Sequence, residues 1–189
     1  MLRTGIRYSN LLIILTSLLI LLAGCAAGIV GGSGAQWSPE TFEKDGYHIH
    51  YARPPMSKWA VFEDPELEIA FYNKETGTVF SFDSEHHTEE TDLKKAFHEF
   101  QKELQSTFQG KLTVLEEAAQ TVLGQPGYHA KVEGIREKSN SKIYFLHYFL
   151  SKDRKIMTFD FTQPAEVEAG KRQQDLDTFL YFMNSFQIH

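Results

Sequence analysis

Gly124-Gln125-Pro126-Gly127, with the three runs that follow it, is the stretch that decides the fold. Glycine and proline packed this closely punctuate a chain. Tyr128 to Ile135, Ile143 to Leu150 and Lys155 to Thr162 are rich in aromatic and β-branched residues, and each has the length of a strand. The segments between them, Glu137 to Lys142 and Ser151 to Arg154, are polar and hairpin-sized. Ile143 to Leu150 is apolar on both faces apart from His147, the pattern of a central strand covered on both sides. An antiparallel meander is therefore the frame of the molecule.

Working outward, Lys111 to Glu117 reads as a further strand before the punctuation. Upstream of it Leu93, Ala96, Phe97, Phe100, Leu104 and Phe108 fall at helical spacing, one apolar stripe along about four turns. Thr91 or Asp92 can cap its start, and Gly110 can end it. Ser84 to Glu90 is polar and acidic and reads as a loop. Val79 to Phe82 and the alternating Leu67, Ile69 and Phe71 form a hairpin about the turn Thr76-Gly77. Trp59 to Phe62 is a short apolar stretch. Tyr47-His48-Ile49-His50-Tyr51 alternates with period two and is a strand, ended by Pro54-Pro55. At the other end Pro164 suits the first turn of a last helix, with Leu176, Phe179, Leu180, Met183 and Phe186 as its stripe and Gly170 weakening its first half. Strands, helix, strands, helix describe an α+β domain: an antiparallel sheet flanked by helices.

Four of these features coincide in the PsbP-like superfamily. They are the strand ending in Pro55 with Trp59 close behind, the first hairpin followed by a helix, Gly124-Gln125-Pro126-Gly127-Tyr128 opening a long meander, and a terminal helix ending in Ser185-Phe186. The chain from residue 40 to 189 resembles that group, which includes the photosystem II extrinsic protein P and a Ran-binding transport factor. The resemblance implies an α/β/α sandwich and a non-enzymatic binding or assembly module. It carries over no site residue.

The N-terminal segment speaks to location. Arg3 and Arg7 precede an apolar run from Leu11 to Leu22 that is broken only by Thr16 and Ser17. A basic start, a short apolar run and small residues make a secretory signal. Cys25 is the single cysteine of 189 residues. Leu22-Ala23-Gly24-Cys25 resembles the bacterial lipoprotein box, which implies cleavage before Cys25 and lipid attached to it. The competing reading is an uncleaved span, since Leu11 to Val30 carries no charge and is long enough for a bilayer of about 30 Å. Gly24, Gly28 and the Gly31-Gly32 pair weaken its second half as a helix. Either way the domain lies outside the cytoplasm, because the two arginines stay inside. By resemblance to enterobacterial lipoproteins, Ala26 after the cysteine favours the outer membrane in a Gram-negative cell. The expected organisation is a signal over 1–24, a lipidated cysteine and Gly-rich tether over 25–36, and one domain over 37–189. A tether of this kind has an r.m.s. reach of roughly 18 Å.

Composition narrows the functions. Without Arg3 and Arg7 the chain has 17 basic and 25 acidic residues, a formal charge of −8. That argues against nucleic acid and anionic lipid heads as partners. With its one cysteine lipidated, no disulfide is available. Nucleophile elbows, P-loops, HExxH and paired-cysteine metal motifs are all missing from the sequence, so no catalytic residue is assigned and no cofactor beyond the covalent lipid is expected. Gly31-Gly32-Ser33-Gly34 is a linker with no scaffold to position a nucleophile.

Histidine is the sharper feature. His48 and His50, two apart on a strand, project to one side, a spacing that suits two ligands of one zinc or copper ion. His86-His87, in a loop with Glu85, Glu89 and Glu90, offers further ligands. The plain alternative is two polar residues on a solvated face. His98 sits at the edge of the first helix's stripe. His129 and His147 fall on meander strands and, facing one another, would respond to pH near 6.5. Tyr128, Tyr144 and Tyr148 offer an exposed binding face beside the default of core packing, and the acidic Glu85 to Asp92 segment a contact for a basic partner. The function expected is a lipid-anchored binding or assembly module for an envelope protein, with a metal- or small-ligand-binding accessory role through His48 and His50 as the alternative.

Overall fold

The meander is present, and it is longer than its apolar runs. The computed structural model describes residues 36–44, 47–65, 67–86, 92–107, 112–135 and 141–189. The signal, Cys25 and the tether through residue 35 lie outside the described residues, as do Glu66, His87, Glu89, Glu90, Thr91, Phe108 and Gly110.

Ten strands and two helices make up the described part. In chain order they are β1 Ser38–Lys44, β2 Tyr47–Arg53, β3 Trp59–Val61, β4 Ile69–Asn73, β5 Val79–His86, α1 Leu93–Thr107, β6 Leu112–Val122, β7 Gln125–Ile135, β8 Lys142–Lys152, β9 Lys155–Pro164, α2 Ala169–Asn184 and β10 Gln187–Ile188. A seven-stranded sheet has the order β3-β4-β5-β9-β8-β7-β6, and a three-stranded sheet the order β1-β2-β10. Every pairing is antiparallel.

The large sheet is covered on two sides, which explains the unbroken apolar runs of its inner strands. On one face α1 buries Ala96, Phe97, Phe100 and Leu104 against Ala130 and Val132 of β7, Phe145 and Phe149 of β8, and Ile156. The Asp92 carboxylate accepts hydrogen bonds from Lys94 N at 2.9 Å and Lys95 N at 3.2 Å, so it is the cap the spacing anticipates. On the other face α2 and the small sheet close over Phe71, Phe80, Phe82, Phe159 and Phe161. Phe179 and Phe182 of α2, both without exposed surface, and Phe186 just beyond it complete an aromatic core. Each such side chain contributes about 2 to 3 kcal/mol by burial alone. Phe80 and Phe182 have ring centroids 4.8 Å apart, as do Phe159 and Phe186, the latter edge-on at 86°.

Several expectations are corrected. Gly124-Gln125-Pro126-Gly127 does punctuate the chain, but the strand read from Tyr128 already begins at Gln125. The turn is Leu123-Gly124 alone, with φ of 49° and 75°, and Gln125 already pairs with Val122. Both central residues in the left-handed region give a two-residue hairpin whose twist matches its strands. Gly127 lies inside β7, where a Cβ would meet Phe149 O at 2.6 Å and Val122 Cγ2 at 2.7 Å, so no side chain fits there. Pro164 does not open the last helix. It is the final residue of β9, opposite Ile143, and Ala165 N continues the ladder to Lys142 O at 2.8 Å. Gly170 lies within the first turn of α2. Ser84 to His86 is strand, because β9 extends far enough to pair with it down to Lys155. Leu67 lies outside β4, which begins at Ile69. The strand read over Lys111 to Glu117 runs on to Val122 as an exposed sheet edge. The stripe of α2 includes Phe182 and the charged Asp175 among its buried members. β1 and β10 escape the sequence reading altogether. Among the described residues no helix is long and apolar enough to cross a membrane.

Candidate binding face and the histidine sites

The face of the large sheet that α2 packs on continues past that helix, across β8, β7 and β6. Alternation decides which side chains arrive there. Tyr144 and Tyr148 come from β8, His129, Lys131 and Glu133 from β7, and Glu116 from β6, since Tyr148 pairs with His129, Tyr144 with Glu133 and Lys131 with Glu116. A β-bulge between Val114 and Glu116 makes the last pair possible. Val114 pairs with Val132, so unbroken register would set Leu115 opposite Lys131; the bulge puts the carboxylate there instead.

Glu116 is the hub of this face. Its carboxylate accepts from Lys131 Nζ at 2.5 Å and lies 3.1 Å from His129 Nε2. The hydrogen bond from Lys131, then that from His129, holds its pKa below the usual glutamate value, and the same bond raises that of Lys131. His129 is 8% exposed and stacks on Tyr148 with centroids 5.7 Å apart. Its Nδ1 is buried with no hydrogen-bond partner among the described residues. Tyr144 and Tyr148 are half-buried, and burial raises both phenol pKa values against the opposing pull of Lys131. The result is two phenol rings beside the Lys131–Glu116 and Lys142–Glu133 ion pairs on one strand surface, a set suited to recognition by stacking and hydrogen bonding.

The three tyrosines do not share a face. Tyr128 pairs with Phe149 on the opposite side of the sheet, where its ring meets Phe97 at 5.1 Å and its hydroxyl donates to Glu117 at 3.0 Å. His129 and His147 are separated in the same way, because His147 pairs with Ala130. His147 has no exposed surface and packs edge-on to Phe100 at 4.5 Å under α1. Its Nδ1 is 2.5 Å from Asp160 Oδ1, and its Nε2 is buried without a hydrogen-bond partner among the described residues. Asp83 lies on that same side of β5, and its pKa is pushed up to about 7, first by burial and then by Glu68.

His48 and His50 are exposed on one side of the small sheet, as their spacing indicates. Each contacts β1: His48 Nδ1 lies 3.0 Å from Glu43 Oε1, and His50 Nδ1 3.0 Å from Thr41 Oγ1. β10 brings His189 alongside, with its ring centroid 5.6 Å from that of His50. Among the described residues no group of three or more His, Cys, Asp or Glu side chains is placed to hold a metal ion. His86 is exposed at the end of β5, and His98 is half-exposed on α1. A cleft of about 610 Å³ opens between the small sheet and the β3–β4 edge, lined by Glu40, Tyr51, Arg53, Phe62 and Asp64 among others.

Two packed sheets with one helix over each side of the larger define a PsbP/Mog1-like α+β fold. The structure is similar to cyanobacterial PsbP (CyanoP) from Synechocystis sp. PCC 6803, with 18% identity and a TM-score of 0.57 over 86% of this chain and 98% of that one. It is also similar to the Ran-binding protein Mog1p of Saccharomyces cerevisiae, with 15% identity and a TM-score of 0.52 over 80% and 96% of the two chains. LpqN, involved in cell envelope biogenesis of Mycobacterium tuberculosis, matches at 10% identity and a TM-score of 0.56 over 82% and 92%. At such identities the likeness is one of fold. No protein-family model matches the chain, and no curated protein does.

Proposed function

We propose that this chain is a lipid-anchored, extracytoplasmic binding module that holds a partner protein at the bacterial cell envelope and performs no catalysis of its own. The observation that carries the reading is the half-open face of Tyr144, Tyr148, Lys131 and Glu116, aromatic and charged side chains left part-exposed beside a fully formed core. The Leu22-Ala23-Gly24-Cys25 box supports the anchor. Among similar folds, LpqN is described as acting in envelope biogenesis and Mog1p as binding Ran, so the architecture serves envelope roles and protein binding in other proteins. An anchor near Cys25 raises the effective concentration of the module for partners on the same membrane.

The test is crosslinking in intact cells, followed by purification of the lipidated full-length protein. One recurrent envelope protein is expected, lost in Cys25→Ala and reduced at least tenfold in the Tyr144→Ala, Tyr148→Ala double variant. Lys131→Glu, at a side chain more than a third exposed, guards against a folding artefact and is expected to give the same loss. Association that survives all three changes would sink the reading.

A second reading has one observation in its favour. The alternative of a metal- or small-ligand-binding role for His48 and His50 has the ring of His189 in its favour, 5.6 Å from that of His50. It predicts that the purified protein binds zinc or copper with micromolar or better affinity, and that His48→Ala with His50→Ala abolishes this. Equal binding by parent and double variant in calorimetry would remove it.

A further inference from the structure

The seven-stranded sheet ends in two edges that are built differently. An edge strand offers a row of unpaired backbone N–H and C=O groups, and natural sheets guard such edges with short length, proline or lysine. β3 has three residues and lies between Pro54-Pro55 and Pro65. β6 has 11 residues, LTVLEEAAQTV, with no proline, lysine or arginine. Among the described residues no strand pairs with its outer side. Its guards are the bulge at Leu115 and the two carboxylates that follow it, Glu116 and Glu117. Val114 and Leu115 are 38% and 51% exposed beside it.

We infer that β6 is a docking edge that takes up an extended segment of a partner protein as an eighth strand, and that this segment carries basic side chains. The inference rests on the binding-module reading and gives it a mode and a partner chemistry. In strand addition the main chain supplies affinity and alternate side chains supply selectivity.

The charge of β6 selects the occupant. Glu116 and Glu117 are its only charged residues, and they point to opposite faces. Glu117 is exposed and held in place by Tyr128 Oη at 3.0 Å and Gln101 Nε2 at 3.4 Å. Glu116, by contrast, is engaged by Lys131 and His129 within its own sheet. A cation on the added strand opposite Glu117 would gain a cross-strand ion pair. A second copy of this chain meets the requirement poorly, because β6 offers no cation to either glutamate in any register. Ala118 and Ala119 at the strand's centre leave room for a neighbouring backbone, and Val114 and Leu115 provide an apolar end. α1 packs mainly on β7 and β8 and touches β6 through Leu112 and through Gln101 at Glu117, and among the described residues no strand covers the outer backbone of β6.

The probe is a capped nine-residue peptide alternating lysine with valine, added to the purified full-length protein in detergent and followed by hydrogen-exchange mass spectrometry. Protection confined to residues 112–122 is expected. Three controls should each weaken binding at least tenfold: the same peptide with glutamate for lysine, the same peptide N-methylated on alternate residues, and Glu117→Lys in the protein. Protection elsewhere, equal binding of the glutamate or N-methylated peptide, or no protection at millimolar peptide would overturn the inference, as would self-association through β6 in place of peptide uptake. Failure here with the Tyr148-dependent cellular crosslink intact rejects the docking edge and leaves the binding module standing. Loss of that crosslink's dependence on Tyr144, Tyr148 and Cys25 rejects the module itself.

Discussion

Replacing Asp175 with alanine is expected to cost the fold roughly 4 kcal/mol, a large share of a typical stability of 5–15 kcal/mol. Asp175 sits on α2 at 4% exposure and accepts hydrogen bonds from four side chains. Asn73 Nδ2 donates to Oδ1 at 2.7 Å, and Thr76 Oγ1 and Thr78 Oγ1 each donate to Oδ2 at 2.6 Å. Gln163 Nε2 reaches Oδ2 at 3.1 Å and Thr78 Oγ1 at 2.8 Å. One carboxylate thus joins the β4–β5 turn, the end of β9 and the last helix. Alanine strands several buried donors at once, and each stranded donor costs about 1–3 kcal/mol. Asparagine should cost less, because the threonine hydroxyls can rotate to accept from its amide. Urea unfolding followed by tryptophan fluorescence measures both variants, with Trp59, 2% exposed, reporting on the core. An alanine variant within about 1 kcal/mol of the parent would mean that the network is ornamental.

The second large effect depends on pH. Asp83 has its pKa raised from 3.8 to about 7, by burial first, then by Glu68 and last by Asp160, with the Ser84 backbone and Lys44 opposing. Below pH 4 the group is protonated in both states and has no effect. Between pH 4 and 7 the unfolded chain releases this proton and the folded chain keeps it, so stability falls as pH rises. Above pH 7 the full penalty applies. The shift corresponds to roughly 4 kcal/mol lost across that window. Asp83→Asn removes the titration, so it should match the parent near pH 4 and exceed it in stability at pH 8. The difference between the two unfolding curves isolates Asp83 from every other group. Curves that stay parallel from pH 4 to 8 would show that the raised value is wrong. Asp160 and His147 lie next along the same side of the sheet, joined at 2.5 Å.

What could be read in the sequence follows from where burial was strong. β8 and β9 are packed on both sides, β7 is packed on the α1 side, and α1 shows one clean stripe, so their side chains announce them. β1, with the sequence SPETFEK, has a proline near its start and alternates weakly. It is held extended by pairing with β2, which leaves no trace in its own residues. β10 has two residues, too few for any period. Around Gly124 the error had the opposite cause. Four turn-formers stand together, but only Leu123-Gly124 bends. Pro126 is tolerated because it is the second residue of β7, where a missing N–H costs little. The candidate face was half legible. Tyr144 and Tyr148 could be grouped from their own strand, whereas placing Tyr128 on the far side required the register between β7 and β8. Asp175 was the missed signal: it lies four residues before Phe179 and seven before Phe182, on the buried stripe, where a carboxylate has no reason to be unless something binds it.

The small sheet also sets the order in which the molecule can be completed. β2 pairs with β1 next to it and with β10 at the far end of the described chain. Phe179, Phe182, Met183 and Phe186 enter the main core from the same late segment. A chain emerging N-terminus first, from a ribosome or through a membrane, can make the β1–β2 hairpin early but has nothing to seal it until residues 179–188 arrive. Such distant pairing slows folding. Products truncated before α2 have no route to the native core, so chains interrupted late in synthesis are left with their aromatic surface open to proteases.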